Sequence, residues 1–160
     1  MNTQKDQAVI HSTFVLERSY PKKPERVFAA FSSAPQKSRW FFTGRSTDLE
    51  KYELDFRVGG NERAELRFNQ ASPFPGVPMI TDTDYLDITP NRRIVTCSTM
   101  TIGDNRVSAA LVTYELIPTA QGTDLICTHQ GAFFEGSGGP EMREEGWRKI
   151  FENLDKELAS

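Results

Sequence analysis

Apolar and polar residues alternate along most of this chain, and where the alternation stops they recur at helical spacing. IHSTFVLERSY, residues 10–20, reads as a first strand ending before Pro21. Pro24 suits the first turn of a short helix, PERVFAAF, whose apolar stripe is Val27, Phe28 and Phe31. Pro35 ends that helix or opens a second turn, PQKSRW, so a small two-helix element follows the first strand. Further on, TDTDYLDITP, RRIVTCSTMTI, RVSAALVTYELIP and TDLICTHQGAF read as successive strands. They are broken at Pro90-Asn91, Gly103-Asp104 and Ala120-Gln121-Gly122, and such short connections favour an antiparallel meander. At the end, Trp147, Ile150, Phe151, Leu154 and Leu158 fall on one face of a long amphipathic helix, with Pro140 near its start.

The segment 53–68, ELDFRVGGNERAELRF, carries two glycines between alternating runs. A phosphate loop needs a helix after its glycines, but the period after Gly60 is two, so a hairpin is expected. A three-residue loop, Gly59-Gly60-Asn61, would pair Phe56 with Ala64, Leu54 with Leu66 and Tyr52 with Phe68, gathering one apolar face. Asn61 would take the left-handed conformation. The same register sets Asp55 against Glu65 and Arg57 against Arg63, an electrostatic cost that burial is expected to outweigh. The stretch ASPFPGVPM, residues 71–79, has three prolines and reads as a loop, a candidate portal or contact segment.

Composition narrows the function classes. At 160 residues the chain is expected to form one domain over 1–160, with 1–9 as a loose N-terminal segment, and to support a core with a cavity. A net charge of −3 without runs of like charge gives no reason to expect nucleic-acid or membrane binding. The polar start MNTQKDQ has no signal-peptide hydrophobic region, and a cytoplasmic location is expected. Cys97 and Cys127 lack metal-ligand spacing and are expected to be buried free thiols.

Five stretches together resemble a known family: RSYPKKPERVFAAFSSAPQKSRWF, LDFRVGGNERAE, YLDITPNRRIVTCS, GTDLICTHQGAF and GWRKIFENL. The chain resembles the SRPBCC superfamily of START-like and birch-pollen-allergen-like proteins, and within it the branch named after the activator of the 90-kDa heat-shock protein ATPase. The resemblance implies an α+β helix-grip fold: a curved antiparallel β-sheet wrapped around a long C-terminal α-helix, two short helices after the first strand, and an apolar cavity between sheet and helix. Where many relatives carry two tryptophans and a glycine, this chain has Trp40-Phe41-Phe42-Thr43-Gly44.

With that fold, Trp40, Phe42, Phe56, Leu66, Phe68, Tyr85, Met100, Trp147 and Phe151 are the candidates for lining the cavity, although the same residue types also build cores. Gly146, inside the last helix, costs about 1 kcal/mol against alanine and suggests close packing or room for the neighbouring indole. For acid–base or metal chemistry the candidates are His11, His129, Asp82, Asp84, Glu115 and Glu135. Neither histidine belongs to a zinc motif, and each is read as a satisfied or exposed imidazole. Glu115, among apolar strand residues, is the weak catalytic candidate, read as a buried carboxylate. The leading expectation is a binding module for a small hydrophobic or aromatic molecule, without metal or cofactor. A cyclase- or dehydratase-like enzyme in the same cavity is the second reading. A chaperone-activating or regulatory interaction domain is the third, with a chaperone or a second copy of the chain as partner.

Overall fold

A computed structural model describes residues 9–160; apart from Val9, the N-terminal segment expected to be loose lies outside the described residues. Strand β1 (Ile10–Tyr20) is followed by helices α1 (Pro24–Ser32) and α2 (Ala34–Phe41). Six strands come next: β2 (Thr47–Leu54), β3 (Asn61–Phe68), β4 (Pro78–Thr89), β5 (Arg93–Ile102), β6 (Asn105–Thr119) and β7 (Gly122–Phe133). Helix α3 (Pro140–Ala159) closes the chain. The strands form one antiparallel sheet in the order β1-β7-β6-β5-β4-β3-β2, so every neighbour but β1 follows its predecessor in sequence. Register shifts at Glu50, Leu86 and Val107 put an extra residue into β2, β4 and β6. Bulges of this kind bend a strand and increase its twist, which suits a sheet that curls around a helix. This is the α+β helix-grip arrangement.

Helix α3 buries Trp147, Phe151, Leu154 and Leu158, the stripe its periodicity predicts. Against it lie Val27, Ala30 and Phe31 of α1 and Phe14, Leu16, Val112, Tyr114, Leu125 and Cys127 of the sheet, all in one core cluster. Ser33 joins the two short helices: its backbone N–H donates to the carbonyl of Ala29, and its Oγ accepts from the N–H of Gln36. The carbonyls that end α2 find their donor in α3, where Asn153 Nδ2 donates to Trp40 O at 3.3 Å and Thr43 O at 2.9 Å. Arg39 grips Glu157 through Nε at 3.0 Å and Nη2 at 2.7 Å. These contacts place the end of α2 beside the middle and end of α3.

The β2–β3 hairpin departs from its expected register. The loop runs from 55 to 60, so Tyr52 opposes Ala64, Leu54 opposes Glu62, Leu49 opposes Leu66 and Thr47 opposes Phe68. Phe56 has left the strand and packs edge-on against Phe28 and Tyr85, at ring separations of 5.6 and 5.1 Å. Asn61 is the first residue of β3, and the left-handed conformation falls on Gly59, at φ 83°. The loop is held from the side: Gly59 N–H donates to Tyr85 O at 2.8 Å and Tyr85 N–H donates to Gly60 O at 3.0 Å. Gly60 admits no side chain, since a Cβ there would lie 2.1 Å from the carbonyl oxygen of Asp55. The observed register also sets Glu53 opposite Arg63, Lys51 opposite Glu65 and Asp48 opposite Arg67, replacing like-charge pairs with opposite ones.

Candidate functional site

The concave face of the sheet is a grid fixed by register. Glu62 of β3 opposes Thr83, which opposes Ser98, which opposes Ala110, which opposes Gly131. One row further along, Ala64, Thr81, Met100, Ser108 and Phe133 stand side by side. Directly opposed residues share a face, so small and hydroxyl-bearing side chains occupy the middle of this surface while bulky ones flank it. The result is a cavity of about 500 Å³ between sheet and α3. Thr81, Thr83, Thr96 and Ser98 make its floor; Phe41 and Phe42 from the end of α2, with Trp147 and Ile150 from α3, make its apolar walls. The Thr83 and Ser98 hydroxyls hydrogen-bond each other at 3.0 Å.

Of the nine candidates for lining, Phe42, Leu66, Phe68, Met100 and Trp147 border the cavity. The other four do not. Trp40 is wholly buried beneath it, its indole N–H donating to Ala30 O at 2.9 Å, and Phe151 is wholly buried in the core. Phe56 is drawn away by the loop, and Tyr85 lies behind the wall with its hydroxyl turned to Glu62 at 2.9 Å. The proline-rich loop reaches the rim through Phe74, stacked edge-on against Phe68 at 4.9 Å. Gly146 borders the cavity in open space: a Cβ there would meet nothing within 4 Å, so close packing is not its reason.

Three further expectations are corrected. Glu115 is exposed, because the buried positions of β6 around it are Tyr114 and Leu116, and successive residues of a strand point to opposite faces. It has no place in the cavity. Cys97 is exposed on the outer face, while Cys127 is buried and its thiol is held well above its ordinary pKa by burial. His129 is 1 % exposed, and its Nδ1 has no hydrogen-bond partner. His11 and Glu135 are exposed, and Asp82 and Asp84 hold Asn61 Nδ2 at 2.7 and 2.9 Å in the β3–β4 ladder.

Arg45, Glu145 and Lys149 border the cavity as exposed residues, and charge that is shielded from solvent enters it at two places. On the α2 side, Lys37 Nζ lies 2.8 Å from Glu62 Oε1, with side chains only 4 and 3 % exposed. Tyr85 OH donates to the same oxygen at 2.9 Å and Tyr52 OH to Oε2 at 2.5 Å, and Lys37 Nζ sits over the Phe41 ring at 4.5 Å. Burial, and then the carboxylate's charge, raises both phenols above their ordinary pKa, so they remain donors. This group is internally neutral, and both carboxylate oxygens are hydrogen-bonded within it.

On the α3 side, Arg143 Nη2 donates to Ser108 Oγ at 2.8 Å and touches Met100 Sδ at 3.4 Å, and its guanidinium lies over Phe133 at 5.2 Å. Burial lowers the guanidinium well below its ordinary value, to about 10, which leaves it charged at neutral pH. Next to it, His129 stacks on Phe14 at 4.6 Å and lies edge-on to Trp147 at 5.6 Å. Burial, then the charge of Arg143, pushes the imidazole down from 6.5 to about 4.

The depressed imidazole fixes a direction for acid sensitivity. Above pH 6.5 His129 is neutral whether the chain is folded or not. As the pH falls from 6.5 towards 4, the unfolded chain takes up a proton that the folded one refuses, so stability falls until the folded state also protonates. The loss over that window is expected to be about 3 kcal/mol. Urea unfolding at pH 7 and pH 4.5 should therefore show a smaller acid loss for His129→Phe than for the parent. Equal losses would show that the imidazole titrates normally.

Lys37, Glu62, Arg143 and the buried state of His129 escaped the sequence reading, yet each had a positional signal. Glu62 shares strand parity with Ala64 and Leu66, and His129 with Cys127 and Phe133; Lys37 stands three residues before Trp40 and Arg143 four before Trp147 on their helices.

A family model described as Activator of Hsp90 ATPase homolog 1-like protein matches residues 22–159. Among solved structures, the chain is similar to protein Mll3558 from Rhizobium loti, at 44% identity over 94% of this chain and 99% of that one, with a TM-score of 0.82. A protein from Rhizobium leguminosarum is 32% identical over 95% of this chain and 97% of its own, with a TM-score of 0.87. An AHSA1-like protein from Aeromonas hydrophila shares the fold at 16% identity, covering 92% of each chain with a TM-score of 0.69. Comparison with curated proteins finds no match.

Proposed function

Since the chain belongs to the family of Activator of Hsp90 ATPase homolog 1-like proteins, within the SRPBCC superfamily, its activity has to be argued from its own cavity, and we propose that it binds a small hydrophobic or aromatic molecule there. The observation that carries this reading is the hollow itself: about 500 Å³ bounded by Phe41, Phe42, Trp147 and Ile150 on one side and a floor of hydroxyls on the other. Small-molecule sites have this size, roughly 300–1,000 Å³, and this mixture of apolar walls with a few polar groups. Apolar ligand surface buried against those walls contributes about 25 cal/mol per Å².

The hollow favours ligand binding over the chaperone partnership that the family description carries, because a protein-docking surface needs no interior space. It also favours binding over a cyclase- or dehydratase-like enzyme. The buried carboxylate that borders it, Glu62, is already neutralised by Lys37 and hydrogen-bonded on both oxygens by two phenols. The reading takes the protein as a cytoplasmic carrier acting without metal or cofactor. Among the described residues no helix is long and apolar enough to cross a membrane.

Native and denaturing mass spectra of protein purified without detergent test the reading. An apolar molecule retained in the native ion and released on unfolding is the expected result. A protein that carries nothing and binds no member of an apolar and aromatic library at millimolar concentration would overturn it.

A further inference from the structure

The two shielded charged places bordering the cavity differ in one respect that bears on the ligand. Lys37 has its carboxylate, whereas Arg143 has none: among the described residues no ion pair reaches it, and Glu144, one residue along, is engaged by Arg148. Its recorded hydrogen bonds, to a hydroxyl and a thioether, both come from Nη2, leaving Nε and Nη1 without a partner. Neither is a fully buried orphan, so both remain accessible. The position gives a helix no reason to carry a cation, since Arg143 lies in the opening turns of α3, where the helix dipole disfavours positive charge. Beside it, His129 keeps a neutral imidazole whose Nδ1 is buried and unpartnered. A charged fork with free donors, a hydroxyl and an unsatisfied imidazole thus meet at the edge of an otherwise apolar hollow.

Building on the cavity-binding reading, we propose that the ligand is an apolar or aromatic monocarboxylic acid whose carboxylate pairs with Arg143 while its hydrocarbon body lies against Phe41, Phe42 and Trp147. Of the charged groups that border the cavity and are not exposed, Arg143 alone has no counter-charge among the described residues, because Lys37 and Glu62 neutralise each other, and this calls for a single negative charge on the ligand. The guanidinium fork matches a carboxylate with two parallel hydrogen bonds. Glu62 on β3 and Ser108 on β6 are three strands apart, roughly 14 Å along the sheet, so an acid seated at Arg143 keeps its tail clear of the Glu62 carboxylate.

Calorimetry with 2-naphthoate, 4-phenylbutanoate and decanoate, each against its primary amide, decides the matter. The parent protein is expected to bind at least one acid about tenfold to a hundredfold more tightly than its amide, the range for a charge-assisted hydrogen-bonded pair. Arg143→Met should erase that preference, bringing acid affinity down to that of the amide, with urea unfolding as the separate check that the variant is folded. Arg143→Lys should retain part of it. As an independent readout, the acid but not the amide should raise the pKa of His129 followed by NMR, because a bound carboxylate offsets the charge that depresses it. Amides that bind as well as their acids, or a preference that survives Arg143→Met, would overturn the carboxylate assignment and leave the cavity reading standing. Failure of every acid and every amide to bind at millimolar concentration would overturn both.

Discussion

Lys37→Met is expected to lower the unfolding free energy by about 3–5 kcal/mol, the usual consequence of removing one partner from a buried ion pair. The reason lies in what stays behind. Glu62, 3 % exposed, would keep its two phenolic hydrogen bonds but lose the one cation that balances it. Removing the charge as well should recover most of the loss, so Lys37→Met/Glu62→Gln is expected to be far closer to the parent than the single variant. Glutamine suits this test better than leucine, because its carbonyl still accepts from one phenol and its amide N–H can donate to the oxygen of the other, whereas leucine would strand both hydroxyls. Urea midpoints of the four proteins give the cycle. A double variant no more stable than Lys37→Met would mean that the cost comes from packing around the lysine stem and not from the orphaned charge.

Trp147→Ala is expected to cost a similar amount, about 3–5 kcal/mol, and to weaken ligand binding as well. The indole meets four rings: Phe41 at 5.4 Å, Tyr114 at 6.1 Å, His129 at 5.6 Å and Phe151 at 5.9 Å. It therefore ties α2, β6 and β7 to α3 while forming part of the cavity wall. Truncation leaves a void that merges with the existing hollow. A ligand would then lose a contact surface and also gain freedom it must give up on binding. Trp147→Phe should lose less of both, since a ring remains at the junction. Denaturant unfolding and titration with a bound apolar acid check the two effects separately; normal stability with unchanged binding would show that the indole occupies neither place.

Alternation and helical spacing were sufficient to read the element order, because a half-buried strand and an amphipathic helix each impose a period on the apolar residues. The hairpin failed for an instructive reason. The register that best matches its apolar residues sets like charges against each other, Asp55 with Glu65 and Arg57 with Arg63. The observed register has opposite charges facing instead. Those pairs were the better guide to how many residues the loop contains.

The site was less legible. Position alone puts Glu62, Lys37 and Arg143 on inward faces, whereas the rule that charged residues prefer water puts them outside. Deciding between the two needs the partner, and Glu62 finds Lys37 from 25 residues away across two elements. Glu115 shows the opposite failure. Its apolar neighbours in sequence suggested burial, but on a strand those neighbours point to the other face. The choice among candidate aromatics was undecidable for a different reason: a cavity wall and a packed core use the same side chains, and only Tyr85's hydroxyl and Trp40's N–H, once their partners are known, place them outside the wall.

The floor of threonines and serine has one more implication. A hydroxyl can rotate to donate or accept: Thr81 can do either, and in the Thr83–Ser98 pair either oxygen can be the donor, so the floor can face a ketone, an alcohol or an ether. The sheet is thus indifferent to the oxygen pattern of what lies on it, and selectivity falls to α3 and the end of α2. A lineage could acquire a new ligand by altering residues on those helices alone, leaving the strand ladder that sustains folding untouched.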